Sequence, residues 1–467
     1  MSIVTTRLSR SSNAMNRRDL PSTRSMLLLL IYGVIVVQSA NQARAEVEPA
    51  KLKPIVDAVT APLGKSLPSL LALYKDLHAH PELSLQEVRS AGKIAELIRQ
   101  AGFTVTENVG GTGVVAVLKN GDGPTVLVRT DLDGLPVTEK TGLDYASKEE
   151  VRRPDGSITG VMHACGHDVH MTCWVGTAEL LAKAKDKWSG TLVFIAQPAE
   201  EIGAGSKAML KDGLFERFPK PDFGLALHTD NVIPFGEIGF VEGYALANVD
   251  SVDITVLGRG GHGAHPQSTI DPIVIAARIV LDLQTIISRE TDPLDAAVIT
   301  VGSIHGGTKH NIIPSEVKLQ LTVRSFKEAT RKHLLDAIAR VAKAAAASAG
   351  APEPTVTIDS NFTPATFNDP KLTRATVDGL KAVLGESHLH TLAPVMGGED
   401  FSRYSLAGVP CCMLRLGTID PVLFDKEKKG EAIIPSLHSP EYAPVPEPSI
   451  KTGVEAMTAA ILRIVGK

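Results

Sequence analysis

The chain has 467 residues, 43 % of them hydrophobic and 21 % charged, with a formal charge of −4; this suits a soluble protein of two or three domains with a sizeable core. Without residues 1–45 it keeps 42 basic and 51 acidic side chains, a charge of −9, which argues against a nucleic-acid partner. The four cysteines, Cys165, Cys173, Cys411 and Cys412, are too few and too unevenly spaced for a disulfide framework, and the adjacent pair Cys411 and Cys412 is expected in the core.

At the N-terminus Arg17, Arg18 and Arg24 precede an apolar run, 26–37, and Ala43-Arg44-Ala45 follows as a small-x-small cleavage site. Residues 1–45 are therefore expected to be a secretory signal, and the protein to be exported with no stable membrane insertion after cleavage. Arg17-Arg18 hints at twin-arginine export, but the residues after it fit that pattern poorly, so the route stays open. Apolar spacing predicts helices over 67–77 and 87–100. Between them His78-Ala79-His80-Pro81 is expected to be a solvated cap, not a ligand pair. Two β-branched runs, 113–119 and 125–128, are joined by Asn120-Gly121-Asp122-Gly123-Pro124 and predict a hairpin. Gly111-Thr112-Gly113 precedes a strand instead of following one, which excludes the dinucleotide fingerprint. The second strand runs out into Arg129-Thr130-Asp131-Leu132-Asp133, placing two carboxylates at its end.

Next comes Met162-His163-Ala164-Cys165-Gly166-His167-Asp168-Val169-His170-Met171, three imidazoles and a thiol ahead of a helix expected over 170–184. Thiolate and neutral imidazole are the usual ligands of zinc and its neighbours. Cys165 and His167 can face one ion only on a tight turn, which Gly166 supplies. The helix N-terminus would favour the thiolate of Cys165. A buried strand, 191–196, leads into Gln197-Pro198-Ala199-Glu200-Glu201. Adjacent glutamates point in different directions, so one can bind a metal while its neighbour serves as general base; a solvated acidic pair is the alternative. A third strand, 223–227, ends in His228. Asp131, Glu200, Glu201 and His228 thus all follow apolar strands, which in an α/β sheet brings them to one carboxyl edge.

From about residue 250 the pattern changes: strand 251–257, a helix opened by Asp271-Pro272 and running to about 289, strands 296–304 and 316–324, helix 328–348 and strand 355–359. This β-α-β-β-α-β order is ferredoxin-like. The expected fold is thus α/β, a catalytic domain of residues 46–245 and 361–467 interrupted by a smaller α+β domain, 246–360. The insert carries Gly260-Gly261-His262-Gly263-Ala264, Asn311 and Arg324. An arginine at a strand end suits a substrate carboxylate, and equally a surface ion pair. Beyond it come a helix over 370–384, then Met396-Gly397-Gly398-Glu399-Asp400-Phe401-Ser402, where the acids fit the first turn of a helix, a strand over 413–416, a lone His438 and a last helix, 450–465.

Five stretches in this order, Arg-Thr-Asp-Leu-Asp-Gly-Leu-Pro, His-Ala-Cys-Gly-His-Asp, Gln-Pro-Ala-Glu-Glu, Gly-Gly-His-Gly-Ala and Gly-Gly-Glu-Asp-Phe, resemble the bimetallic aminoacylase and carboxypeptidase superfamily. The likeness is to its amidohydrolase branch, which holds hippurate hydrolases and plant hydrolases of indole-acetyl amino acids. The resemblance implies two divalent ions per subunit, zinc or manganese first and cobalt or nickel as alternatives, held by Cys165 as bridging ligand with His167, Glu201, His228 and His438. It implies Glu200 as base, Asp131 among the catalytic residues, and His262 reaching from a partner subunit to stabilise the oxyanion. Asn311, Arg324 and Gly398 would hold the substrate, and the inserted domain would act as lid and dimer interface. Arg129 stands where the wider superfamily has a ligand histidine and Cys165 where it has an aspartate. The branch shares this departure, which favours N-acyl amino acids over peptides. The rivals are an exported carboxypeptidase or dipeptidase and a silent metal-containing binding protein; retention of Glu200 beside Glu201 speaks against the latter.

Overall fold

The computed structural model describes residues 46–153 and 155–467; the expected leader, 1–45, lies outside them. Strands β1 (Thr104–Val109), β2 (Gly113–Asn120), β3 (Thr125–Asp131), β4 (Gly190–Gln197), β5 (Phe223–Pro234) and β6 (Ile238–Phe240) come first. The chain then builds a separate sheet from β7 (Asn248–Leu257), β8 (Ala297–His305), β9 (Glu316–Ser325) and β10 (Thr355–Ile358), and returns with β11 (Leu389–Thr391) and β12 (Cys411–Ile419). The helices that matter here are α1 (Pro49–Thr60), α2 (Leu63–Ala79), α3 (Val88–Gln100), α4 (His167–Lys183), α5 (Pro272–Thr285), α6 (Glu328–Ser348), α7 (Pro370–Leu384) and α8 (Pro446–Val465). Among the described residues no helix is long and apolar enough to cross a membrane.

The large sheet has eight strands in the order β1-β2-β4-β3-β5-β12-β6-β11. Its middle, β4-β3-β5-β12, is parallel, and such strands are covered on both faces. The sequence alternates to match. Val126, Val128, Leu192, Phe194 and Leu225 join the core shared with α2, α4 and α8, while Leu127, Val193, Ile195 and Ala226 join the opposite core with Phe401 and Met413. Cys411 and Cys412 are both buried, one on each face. The smaller sheet, β8-β9-β7-β10, is antiparallel throughout, with α5 and α6 as its connections. In β7 and β9 burial alternates residue by residue, the signature of a sheet with one face on a core. Asp271 caps α5, accepting from Ile273 N.

Three local expectations are corrected. β2 and β3 form no hairpin: β4 lies between them, antiparallel to β2 and parallel to β3. Both are buried along most of their length, so each needs neighbours on two sides. The four-residue link, 121–124, is long enough to cross the ~10 Å over an intervening strand. β5 does not end at His228 but continues to Pro234, because β12 pairs with it that far. And α4 starts at His167, putting the expected ligand inside its first turn.

Candidate active site

β3 pairs with β5 only as far as Arg129 opposite Ala226, so His228 faces the open carboxyl edge although its own strand runs on. Glu200 and Glu201 reach the same edge from β4, and Cys165 and His167 from the N-terminus of α4. Gly166 joins the last two at φ +77°, and a Cβ there would sit 2.7 Å from Thr229 Oγ1; only glycine fits. His438 arrives from the far end of the chain, its N–H on Ala164 O at 2.8 Å.

Cys165 Sγ lies 3.6 Å from His228 Nε2 and 3.3 Å from His438 Nε2. Ligand atoms of Cys165, His167 and His228 fall within 4.8 Å of one another, as do those of Cys165, Glu201 and His438. Cys165 belongs to both groups, the position of a bridging ligand. His167 Nδ1 donates to Asp133 O and His228 Nδ1 to Thr229 O, both at 2.7 Å. Each imidazole therefore presents Nε2, the tautomer a metal needs. His167 Nε2 and Glu201 Oε1 are buried without hydrogen-bond partners and lie 3.8 Å apart. Such orphans are costly unless a cation answers them, and a thiolate, imidazole and carboxylate donor set suits a divalent transition metal.

Glu200 is buried, its Oε2 4.0 Å from His167 Nε2. Burial, then the charges of Glu399, Glu201 and Asp400, push its carboxyl well above the usual range. Burial likewise raises Glu201 to about 7, and burial with Glu201 pushes the Cys165 thiol up. Behind Glu200, fully buried Arg129 bonds Asp131 Oδ2 at 2.6 Å and Glu399 Oε1 at 2.8 Å, with Asp400 Oδ1 at 3.4 Å. Glu399 and Asp400 are thus not exposed first-turn acids. They are buried, and Asp400 also accepts from Gln197 Nε2 and from Ser206 N and Oγ. Arginine suits this place because its planar fork serves several carboxylates at once and stays charged when dry.

Of the three clustered imidazoles only His167 meets Cys165 in a candidate ligand group. His170 donates from Nδ1 to Asp131 Oδ1 and accepts from Thr229 N on Nε2, both at 2.7 Å. His163 is buried without a partner. His78 is no ligand, but neither is it a solvated cap: it lies buried between Asp168 Oδ2 at 2.7 Å and Glu139 Oε1 at 3.1 Å.

A cavity of about 390 Å³ opens over the cluster, with Cys165, Glu200, Glu201, His228 and His438 on one side and Val249, Ser251 and Arg324 of the smaller domain on the other. Gly398 lines it too. Arg324 is half-buried, its Nε on Thr322 Oγ1 and its Nη1 on Met396 O; among the described residues it makes no ion pair. Asp131 lies outside the cavity, wholly buried between Arg129 and His170. His262 and Asn311 are exposed and away from the cavity. They sit side by side, Gly263 N donating to Asn311 O at 2.9 Å and His262 pairing with Ile312. Asp133, Glu399 and Asp400 are not singled out as site residues by the sequence; the one usable signal is that Asp133 lies two residues past the end of β3.

The profile of Peptidase family M20/M25/M40 matches residues 127–463. Thermostable carboxypeptidase 1 of Saccharolobus solfataricus is 36 % identical over 399 residues, 85 % of this chain and 94 % of that protein. Hippurate hydrolase of Campylobacter jejuni is 36 % identical over 334 residues, 70 % of this chain and 82 % of that protein. Among solved structures, a dinuclear metal binding peptidase of the M20 family from Bacillus subtilis superposes with a TM-score of 0.68 at 29 % identity, covering 85 % of this chain and 99 % of that one.

Proposed function

The chain belongs to peptidase family M20/M25/M40, a metal-dependent amidohydrolase, and from that premise we propose that it cleaves N-acyl amino acids to a carboxylic acid and a free amino acid. The observation that carries a substrate ending in an amino acid is Arg324, and the N-acyl half rests on the likeness to hippurate hydrolase. Arg324 places a guanidinium on the wall opposite the acidic and ligating cluster, without an acidic partner among the described residues, and so free to take the α-carboxylate of a bound amino acid.

Cys165, His167 and His228 would hold one divalent ion and Cys165, Glu201 and His438 the other. When bound, the ions polarise the scissile carbonyl and lower the pKa of the attacking water. The protein's own groups do the rest. Glu200 Oε2 accepts the water's proton and delivers it to the departing amine nitrogen. Arg324 holds the amino acid in place, and Gly398, where a Cβ would meet Val249 Cγ2 at 2.4 Å, lets the smaller domain pack close beside the cavity. His262 and Asn311 are exposed and do not line the cavity of their own chain, which supports a homodimer in which each subunit lends them to its partner's site. The N-terminal leader supports an exported enzyme.

The deciding experiment is amino acid release from N-acetyl, N-benzoyl and indole-acetyl amino acids beside simple dipeptides, with protein stripped and reloaded with single metals. Metal-dependent release from the acyl compounds is expected. The likeness to a carboxypeptidase favours a second reading, peptide substrates; release from dipeptides alone would establish it in place of the first.

A further inference from the structure

Three consecutive peptide N–H groups in the loop after β4 end on two buried carboxylates. Ala199 N donates to Glu87 Oε1 at 2.8 Å, Glu200 N to Asp133 Oδ1 at 3.1 Å and Glu201 N to Asp133 Oδ2 at 3.0 Å. Ala199 is held at φ +50°, a left-handed conformation that a residue with a Cβ keeps only when its surroundings impose it. Asp133 is itself fixed: it is buried, and Ser84 Oγ donates to its Oδ2 at 2.6 Å. Its carbonyl takes the Nδ1 proton of His167. One residue at the end of β3 therefore touches three functional residues that come from two other elements.

Glu200 and Glu201 leave this turn with different tasks. Glu201 Oε1 has no hydrogen bond of its own to aim it; what the structure holds in place is the peptide from which each side chain leaves, through the two N–H groups that end on Asp133. We propose that Asp133 is a positioning residue. Its carboxylate, steadied by Ser84, orients the two peptides so that one glutamate faces the reacting water and the other a metal ion, while its carbonyl fixes the tautomer of His167. Glu87 braces the same loop one residue upstream. The part concerning Glu200 rests on the functional reading above; the part concerning metal affinity depends on no substrate.

Asparagine at 133 keeps the volume but offers one acceptor in place of two, and its NH₂ must then face a peptide N–H. The test compares Asp133→Asn and Ser84→Ala with the unaltered protein. It measures zinc affinity by chelator competition, melting of the metal-free protein, and kcat and KM on an N-acetyl amino acid at saturating metal. Asp133→Asn should bind zinc about 10–100-fold more weakly. At saturating metal its kcat should stay about 10²-fold low with KM within about threefold, while the metal-free protein melts close to the unaltered one. Ser84→Ala should shift affinity and kcat the same way, by about threefold to tenfold. Unaltered zinc affinity in Asp133→Asn, or kcat fully restored by excess metal, overturns the proposal. Should Asp133→Asn fail to fold, Ser84→Ala decides alone, and unaltered affinity and kcat there overturn it. A wrong substrate class shows differently: no turnover in any form, with the zinc affinities still separated.

Discussion

Two regions carry the expected site residues, and only the first of them lies at the cavity. At the carboxyl edge of the large sheet Cys165, His167, His228 and Glu200 are buried, both ligand imidazoles are tied at Nδ1 to a backbone carbonyl, and the acids behind them share Arg129. On the smaller domain His262 and Asn311 stand in water on a two-stranded ribbon. Groups whose tautomer and proton affinity must be controlled need a dry, hydrogen-bonded setting, which the parallel strands and α4 supply. A group wanted only in the transition state can be lent by another surface, provided that surface docks repeatably.

The largest expected effect lies in the buried region. Glu200→Gln should lower kcat by roughly 10²–10⁴-fold while metal analysis still finds two ions per chain; an unaltered rate would remove Glu200 as base. On the exposed ribbon, His262→Ala should cost roughly 10²–10³-fold in kcat with little change in KM. Mixing and reassociating Glu200→Gln and His262→Ala subunits should then recover about a quarter of full activity if sites draw on two chains. No recovery from an impaired His262→Ala would mean that His262 works within its own chain, and an unimpaired His262→Ala that it does not work at all.

The buried region should also be the one that pH breaks. Burial lowers the pKa of His78, but its bonds to Asp168 and Glu139 more than reverse this, to about 9. Its folded pKa exceeds the unfolded 6.5, so the stabilisation is complete below about 6.5 and is lost as pH rises through about 9, to a limit of about 3 kcal/mol. Denaturant unfolding from pH 7 to 10 should show the decline, and His78→Gln should flatten it; an equal slope in that variant would assign the decline elsewhere. The smallest effect is expected at the rim: Arg324→Ala should raise KM by roughly 10–100-fold, the worth of one charged hydrogen bond. If kcat fell instead with KM unmoved, Arg324 would act on the reacting atoms and not on the substrate carboxylate.

Within the buried region some neighbours were visible in the residue order and others were not. Glu200 and Glu201 stood out because a compact apolar strand delivers them, and Cys165 and His167 because a glycine separates two ligand types. His438 carried no local signal, arriving alone on a loop at φ +69°, and only the family resemblance singled it out. Glu399 and Asp400 looked like ordinary helix-opening acids, since nothing near them in sequence announces Arg129, some 270 residues away. His78 was misjudged for the same reason: its partners Asp168 and Glu139 belong to distant segments.

By itself the sequence determined the buried central strands, most of the long helices, the β-α-β-β-α-β insert and the donor types at strand ends, because periodicity, caps and turn residues are local properties of the chain. Only the tertiary structure decided that β4 lies between β2 and β3, that Arg129 neutralises three acids, that Asp133 accepts from the peptides of Glu200 and Glu201, and that His262 and Asn311 remain outside their own chain's cavity. Each of these is a contact between segments far apart in sequence. Such contacts follow from which apolar faces bury one another and which buried charges then find partners, and no window of neighbouring residues contains that information.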